Sequence, residues 1–187
     1  MATIRPVDSV KLIVGMLSNR RERFALAAEA LSARFGPIDV AGPVLPFDYT
    51  DYYTPQMGPN LLRQFLSFER LIAPDALAAV KGFTNELERQ LADAGDVPRP
   101  INLDPGYVTP GKLVLASAKD FAHRVYLGEG IYAEVTLTFV RGRWVAGPFT
   151  FPDYASGAYD AFLTAVRERL MEQTRKPGKR QQAAGNR

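Results

Sequence analysis

The segment KLIVGML (residues 11–17) is a short, continuous apolar run. A run of this length is typical of a strand that is buried on both faces of a sheet. The next stretch, residues 20–35, has apolar side chains at helical spacing and ends at Gly36 and Pro37, a left-handed cap followed by a helix breaker. The chain therefore opens with a buried strand and an amphipathic helix.

The same alternation of strand and helix continues to residue 108. We predict a second strand at residues 38–49, at an edge or with a bulge, because Pro43 and Pro46 cannot donate to a ladder. A third strand at 61–71, a helix at 74–91 and a fourth strand at 101–108 follow. This order predicts an α+β fold of the ferredoxin-like split βαβ type, in which the helices cover one face of a mainly antiparallel sheet.

Three further elements are expected after residue 108. They are a short helix at about residues 112–119, a β-hairpin of residues 123–127 and 131–137 around a three-residue glycine loop, and a helix at 156–173. The last helix carries one apolar stripe, which predicts that it docks as a covering layer.

The register of the hairpin follows from its pattern of side chains. Tyr126 lies opposite Tyr132 and Arg124 opposite Glu134 on one side, whereas His123 lies on the other, apolar side. We expect Arg124 and Glu134 to form a cross-strand ion pair, which either serves the fold alone or also lines a site.

Composition and charge exclude several classes of protein. With 187 residues, 47% apolar and 23% charged, the chain is expected to form one domain over residues 1–174. It has no cysteine, which excludes thiol catalysis, disulfides and cysteine-ligated metals. No signal core or membrane-spanning apolar run is seen, so we predict a cytoplasmic protein with no membrane partner.

The net charge of +3 comes from the last thirteen residues. Residues 175–187 hold five basic and no acidic side chains, which leaves 18 basic and 20 acidic residues in the rest of the chain. We predict that this tail is disordered, and its charge is only weak support for binding nucleic acid.

Several strings of the chain resemble a known family. They are VGMLS (14–18), PFDYTDYY (46–53), FLSFE (65–69), TNELE (84–88), NLDPGY (102–107) and the segment 123–134. The chain is similar to an uncharacterised, mainly bacterial family of domains of unknown function, DUF4416, along all but its tail. This resemblance implies no established activity and no catalytic residue, cofactor or partner.

The polar residues between 99 and 139, together with an aromatic, acidic loop at 47–53, are the candidates for a site. Carboxylates and histidine can transfer protons, whereas basic, amide and tyrosine side chains can hold an anion. The candidate catalytic residues are His123, Asp104 and Glu134, and the candidate ligand-binding residues are Asn102, Tyr107, Lys112, Lys119, Arg124, Tyr132, Asp48 and Asp51.

The segment GYVTPGK (residues 106–112) has the glycine and lysine spacing of a loop that cradles phosphate. It is half a motif, because Leu113 stands where Ser or Thr would hold Mg²⁺ and Pro110 lacks an amide donor. The alternative is a turn in which Gly106 serves the backbone geometry and Thr109 caps the predicted short helix.

Histidine acid–base chemistry and the binding of a divalent cation are two further possibilities for the polar residues. The chain has a single histidine, which excludes two-histidine chemistry, and His123 is either a hydrogen-bonded structural residue or a general base. Asp104, Asp120 and Glu134 with Asn102 could supply oxygen ligands to a divalent cation. The sequence requires no cofactor, but it is compatible with such a cation.

Two functions remain open from the sequence. The first is a site for a small anionic or phosphate-bearing molecule, such as a nucleotide, in an enzyme or a binding protein. The second is a non-catalytic module that binds protein or RNA through the open face of its sheet. The sequence does not fix the oligomeric state.

Overall fold

The first strand, β1 (Lys11–Ser18), lies inside the sheet, and all eight of its residues are buried. The computed structural model of the chain describes residues 3–92 and 97–175. β1 pairs antiparallel with β4 (Leu62–Phe68) on one side and β5 (Asn102–Val108) on the other. The Lys11 side chain is completely buried, and its ammonium lies 2.5 Å from Asp39 Oδ2. The predicted buried strand is confirmed.

Within the described residues the sheet has nine strands, and every pair in it is antiparallel. Its order is β2-β4-β1-β5-β6-β8-β7, with β3 beside β4 and β9 beside β8. The remaining strands are β2 (Ile38–Ala41), β3 (Leu45–Pro46), β6 (Lys112–Ser117), β7 (Val125–Gly128), β8 (Ile131–Val140) and β9 (Arg143–Ala146).

Helices cover both faces of this sheet. α1 (Glu22–Phe35) and α3 (Leu77–Ala92), which follows a 3₁₀ turn at Pro74–Ala76, share one hydrophobic cluster with β1. α5 (Asp160–Thr174) packs on the opposite face, where Phe65 and Leu115 meet its apolar stripe. The predicted covering layer is therefore confirmed. Two single-turn helices, α2 (Thr54–Met57) and α4 (Pro152–Ala155), lie in the connections.

The short helix predicted at residues 112–119 is wrong, because residues 112–117 form β6. Leu113 and Leu115 pack in the cluster with α5, whereas Val114 and Ala116 pack in a cluster with Leu77 of α3. Side chains that alternate between two covered faces produce a continuous apolar run, which resembles a buried helix when it is short.

The strand predicted at residues 38–49 is broken into β2 and β3. Pro43 lies in the break, and the ladder to β4 is irregular between Ile38 and Val40. Proline cannot donate to the ladder, so pairing stops and restarts around it.

The hairpin register is confirmed at Tyr126, which lies opposite Tyr132. The loop has two residues, 129–130, rather than the predicted three, because Gly128 pairs with Ile131 across a bulge. Both loop residues have positive φ, as a tight hairpin turn requires.

The apolar side predicted for the hairpin is wrong. β7 begins at Val125, so His123 lies in the loop before the strand. Val125 and Val135 are 68% and 54% exposed, because they border an open cavity rather than a packed layer.

The tail predicted to be disordered lies, apart from its first residue, outside the described residues. Within the described residues, no helix combines the length and the apolar character needed to cross a membrane.

Candidate functional site

A cavity of about 570 Å³ opens where β5 begins and β6 ends. We call it the main cavity, and its size is typical of a small-molecule site. Its charged lining residues are Arg63, Lys81, Arg99, Lys119, Arg124, Asp104, Glu134 and Asp153, and its aromatic ones are Phe47, Tyr49, Tyr52, Tyr53, Phe121, Phe151 and Tyr154.

The main cavity lies beside a split in the sheet. β5 and β6 pair at three positions, and the ladder stops at Gly106 opposite Leu115. The next pair would place Pro105 opposite Ala116, and proline has no N–H to donate. The first four residues of β5 therefore have no partner in β6, although they remain paired with β1.

Two charged side chains of α3 bond the open edge of β5. Lys81 Nζ donates to the Leu103 carbonyl at 2.8 Å, and Glu88 Oε1 accepts from the Leu103 amide at 2.7 Å. Both peptide groups would be left without partners by the split, at a cost of about 1–3 kcal/mol each if buried. Glu88 also accepts from Arg99 at 2.8 and 3.2 Å, and Arg99 donates in addition to the Asn102 side chain.

Arg63 is the central residue of one side of the main cavity, which we call the floor and which also includes Asn102, Asp104, Asp153 and Tyr154. Its guanidinium lies 3.0 Å from Asp104 Oδ2 and 3.5 Å from Asp153 Oδ2. Asn102 Nδ2 donates to the same Asp104 oxygen at 2.6 Å, and the Tyr159 hydroxyl donates to Asp153 at 3.1 Å. The Arg63 guanidinium thus forms ion pairs with both Asp104 and Asp153, and these pairs offset the free-energy cost of burying the two carboxylates.

These contacts fix the charge states at the floor. Burial opposes the ionised form of Asp104, but the Arg63 guanidinium, followed by the Lys81 ammonium, holds its pKa below the usual value. Burial raises the pKa of Tyr53 to about 12 and that of Tyr154 well above its usual value. At neutral pH the floor therefore presents an ionised Asp104 beside neutral phenols.

Two buried polar atoms at the floor have no hydrogen-bond partner among the described residues. They are Nε of Arg63 and the hydroxyl of Tyr154, and both side chains line the main cavity. Buried polar atoms are usually paired, so such exceptions require an explanation.

Two polar contacts form the rim. Lys119 Nζ donates to the Tyr52 hydroxyl at 2.7 Å and joins the loops before α2 and after β6. The ion pair predicted between Arg124 and Glu134 is present at 2.8 Å, with both side chains buried. Arg124 also donates to Ser117 at 2.7 Å, which fixes its guanidinium at the end of β6.

A second cavity of about 290 Å³ lies on the other side of Glu134 and contains His123, Tyr107 and Lys112. His123 Nε2 lies 2.9 Å from Glu134 Oε2, and the imidazole stacks on the Phe149 ring with centroids 4.5 Å apart. Glu134 therefore lies between the two cavities and bonds a residue of each.

The structure gathers most of the predicted site residues, but in two places. Asn102, Asp104, Lys119, Arg124 and Glu134 line the main cavity. The second cavity contains the three residues named above together with Glu134. The remaining three, Asp48, Asp51 and Tyr132, line neither cavity, and both aspartates are exposed.

The segment 106–112 does not have the structure of a phosphate-cradling loop. It is the end of β5 and a turn into β6, where Thr109 Oγ1 accepts from the Gly111 and Lys112 amides instead of capping a helix. Gly106 is required for close packing, since a Cβ there would lie 2.4 Å from the Val114 carbonyl oxygen. In residues 3–92 and 97–175, no three His, Asp or Glu side chains are grouped as a metal site requires.

Sequence reasoning missed Arg63, Lys81 and Asp153. A signal existed for the first two, because each occupies an inward position in an otherwise apolar pattern: Arg63 in β4 and Lys81 in the stripe of α3. Charged residues at such positions are rarely buried without a partner or a function. No comparable pattern surrounds Asp153, whose position follows from the fold of the C-terminal segment.

The fold and the site together define an α+β domain with helices on both faces of an antiparallel sheet and a polar cavity at a split in that sheet. The chain belongs to the family described as a domain of unknown function (DUF4416), which it matches over residues 8–170. No curated protein and no solved structure matches the chain.

Proposed function

We propose that the main cavity binds a small anionic molecule. The observation that carries this proposal is Lys81, which is only 6% exposed and lines the main cavity. Its ammonium has one hydrogen bond, to a backbone carbonyl, and forms no ion pair with a described carboxylate, although it is near enough to Asp104 to lower the pKa of that group. Buried charges are normally paired, so an anion from a ligand would complete this site.

The charge of the whole lining supports the same proposal. It has five basic side chains and three carboxylates, and each of those carboxylates is paired with an arginine. The ammonium of Lys119 at the rim has no carboxylate partner within the described ranges, and it donates to Tyr52. The surplus positive charge of the cavity favours an anion over a cation.

Beyond binding, Asp104 is the charged acceptor that a ligand in the main cavity can reach. It is ionised and can accept a hydrogen bond from a bound molecule, but its lowered pKa makes it a weak base for removing a proton. His123 and Glu134 are bonded to each other at the wall and are less directly placed.

We also propose that β1, β2, β4 and β5 with α1 and α3 form a ferredoxin-like core. The strand order β2-β4-β1-β5, with antiparallel pairing and both helices in one cluster, supports this arrangement. In such a core the face opposite the helices is free to bind protein or RNA, but here α5 packs against it. The interaction module considered from the sequence therefore has less support than the anion site.

The experiment is a thermal-shift panel of phosphates, nucleotides and carboxylates against the wild type and two matched variants. Lys81→Met removes the buried ammonium, whereas Lys112→Met removes an exposed one outside the main cavity. A ligand at about 100 times Kd stabilises the fold by about 2.7 kcal/mol, which is a shift of roughly 5 to 10 °C for a chain of this size. We expect this shift in the wild type and in Lys112→Met but not in Lys81→Met. Equal shifts in all three proteins would place the ligand elsewhere.

A further inference from the structure

We propose that the anion bound in the main cavity also carries a hydroxyl or amine group, which donates a hydrogen bond to Asp104. This inference rests on the proposed anion site and specifies its ligand as a hydroxy acid, an amino acid or a hydroxylated phosphate ester. It comes from the unused hydrogen-bonding capacity of two side chains that line the main cavity, Asp104 and Lys81.

Asp104 has one occupied oxygen and one free oxygen. Oδ2 accepts from both Arg63 and Asn102, whereas Oδ1 accepts no hydrogen bond from the described residues. The side chain is 25% exposed and lines the main cavity. An ionised carboxylate oxygen in this position can only accept, so its complement is a donor.

A hydroxyl or amine group of the anionic ligand is a better partner for Asp104 Oδ1 than a metal ion. The described acidic side chains do not gather into a metal-ligand group, and the main cavity already contains five basic residues. A hydroxyl next to an anionic group satisfies Asp104 without adding a net positive charge, while the anionic group meets Lys81. Lys81 Nζ is bonded to the carbonyl of Leu103, which immediately precedes Asp104, so the two contacts lie close together.

Lys81 supplies the donor that matches the anionic group of the ligand. Its ammonium has three N–H groups, and one of them is used on the Leu103 carbonyl. The floor thus offers an acceptor beside a charged donor, which is the complement of a small hydroxylated anion.

The test compares ligand pairs that differ only in their hydroxyl groups. The pairs are glycerol 3-phosphate with propyl phosphate, malate with succinate, and AMP with its 2′,3′-dideoxy analogue, titrated against the full chain by calorimetry. We expect at least one hydroxylated member to bind more tightly than its partner by on the order of 10- to 100-fold, since hydrogen bonds to charged groups have this strength. Asp104→Asn should reduce this ratio, whereas Lys81→Met should weaken both members of the pair.

The ligand pairs keep the experiment decisive if Asp104→Asn does not fold, because the comparison within each pair uses the wild-type chain. Equal affinity for both members of every pair overturns the hydroxyl proposal and leaves the anion site standing. If no anion of the panel binds, both proposals fail.

Discussion

Glu88→Ala should destabilise the protein by about 2–4 kcal/mol, because Glu88 bonds the open edge of β5. The bond from the Leu103 amide is 2.7 Å long and has a charged acceptor, which contributes about 1.5–3 kcal/mol. The ion pair with Arg99 is partly exposed and adds about 0–1 kcal/mol. For a chain of this length, the loss corresponds to a fall of roughly 4 to 16 °C in melting temperature.

Glu86→Ala is the matched control on the same helix. Glu86 and its ion-pair partner Arg89 are both exposed, so its removal should cost less than about 0.5 kcal/mol. Glu88→Gln keeps an acceptor for the amide and should fall between the two alanine variants. The assay is urea unfolding followed by circular dichroism and by the fluorescence of Trp144, the single tryptophan. If Glu88→Ala and Glu86→Ala unfold at the same urea concentration, the edge of β5 does not depend on α3 and the reasoning is wrong.

Asp39→Asn should cost about 3–5 kcal/mol in urea unfolding, because it leaves the buried Lys11 ammonium without its charge partner. Lys11 Nζ also donates to Gln173 Oε1 at 2.8 Å, and a loss below about 1 kcal/mol would show that this bond alone is sufficient. Gly106→Ala should destabilise the sheet by about 1–3 kcal/mol, since the new methyl group would press on the Val114 carbonyl; an unchanged midpoint would contradict the close packing of β5 and β6. The lowered pKa of Asp104 stabilises the fold above the unfolded value of about 4, and this contribution disappears as the pH falls through the lower folded value. Asp104→Asn should therefore flatten the acid limb of unfolding free energy against pH, and an unaltered limb would count against the ion pair.

The parts of the fold that sequence predicts best are those with a clear local signal. β1 follows from its continuous apolar run, α1 from helical spacing, and the pairing of Tyr126 with Tyr132 from the alternation of the hairpin, and the structure confirms all three. The helix prediction for residues 112–117 is wrong because both faces of β6 are covered. Its apolar residues therefore do not alternate with polar ones, and a short apolar run of this kind is compatible with either a strand or a helix. Sequence reasoning missed β9 (Arg143–Ala146), which has only four residues, three of them exposed.

The candidate site was predictable only in part, because some of its residues are brought together by the tertiary structure alone. Asn102, Asp104, Arg124 and Glu134 lie in polar stretches that draw attention in the sequence, and they line the main cavity. Lys81 also lines the main cavity, because the separation of β5 from β6 leaves the Leu103 carbonyl open to this side chain of α3. The separation depends on which strand lies beside β5, and local patterns do not contain that information.

The central position of β1 has a consequence for biosynthesis. Its partners, β4 and β5, lie at residues 62–68 and 102–108, so β1 is synthesised before either of them. At about 5 to 20 residues per second, translation from the end of β1 takes roughly 2 to 9 s to reach β4 and roughly 4 to 17 s to reach β5. Until β4 has been made, KLIVGML has no strand to pair with, and it is an apolar segment of the kind that chaperones bind, which the finished protein buries completely.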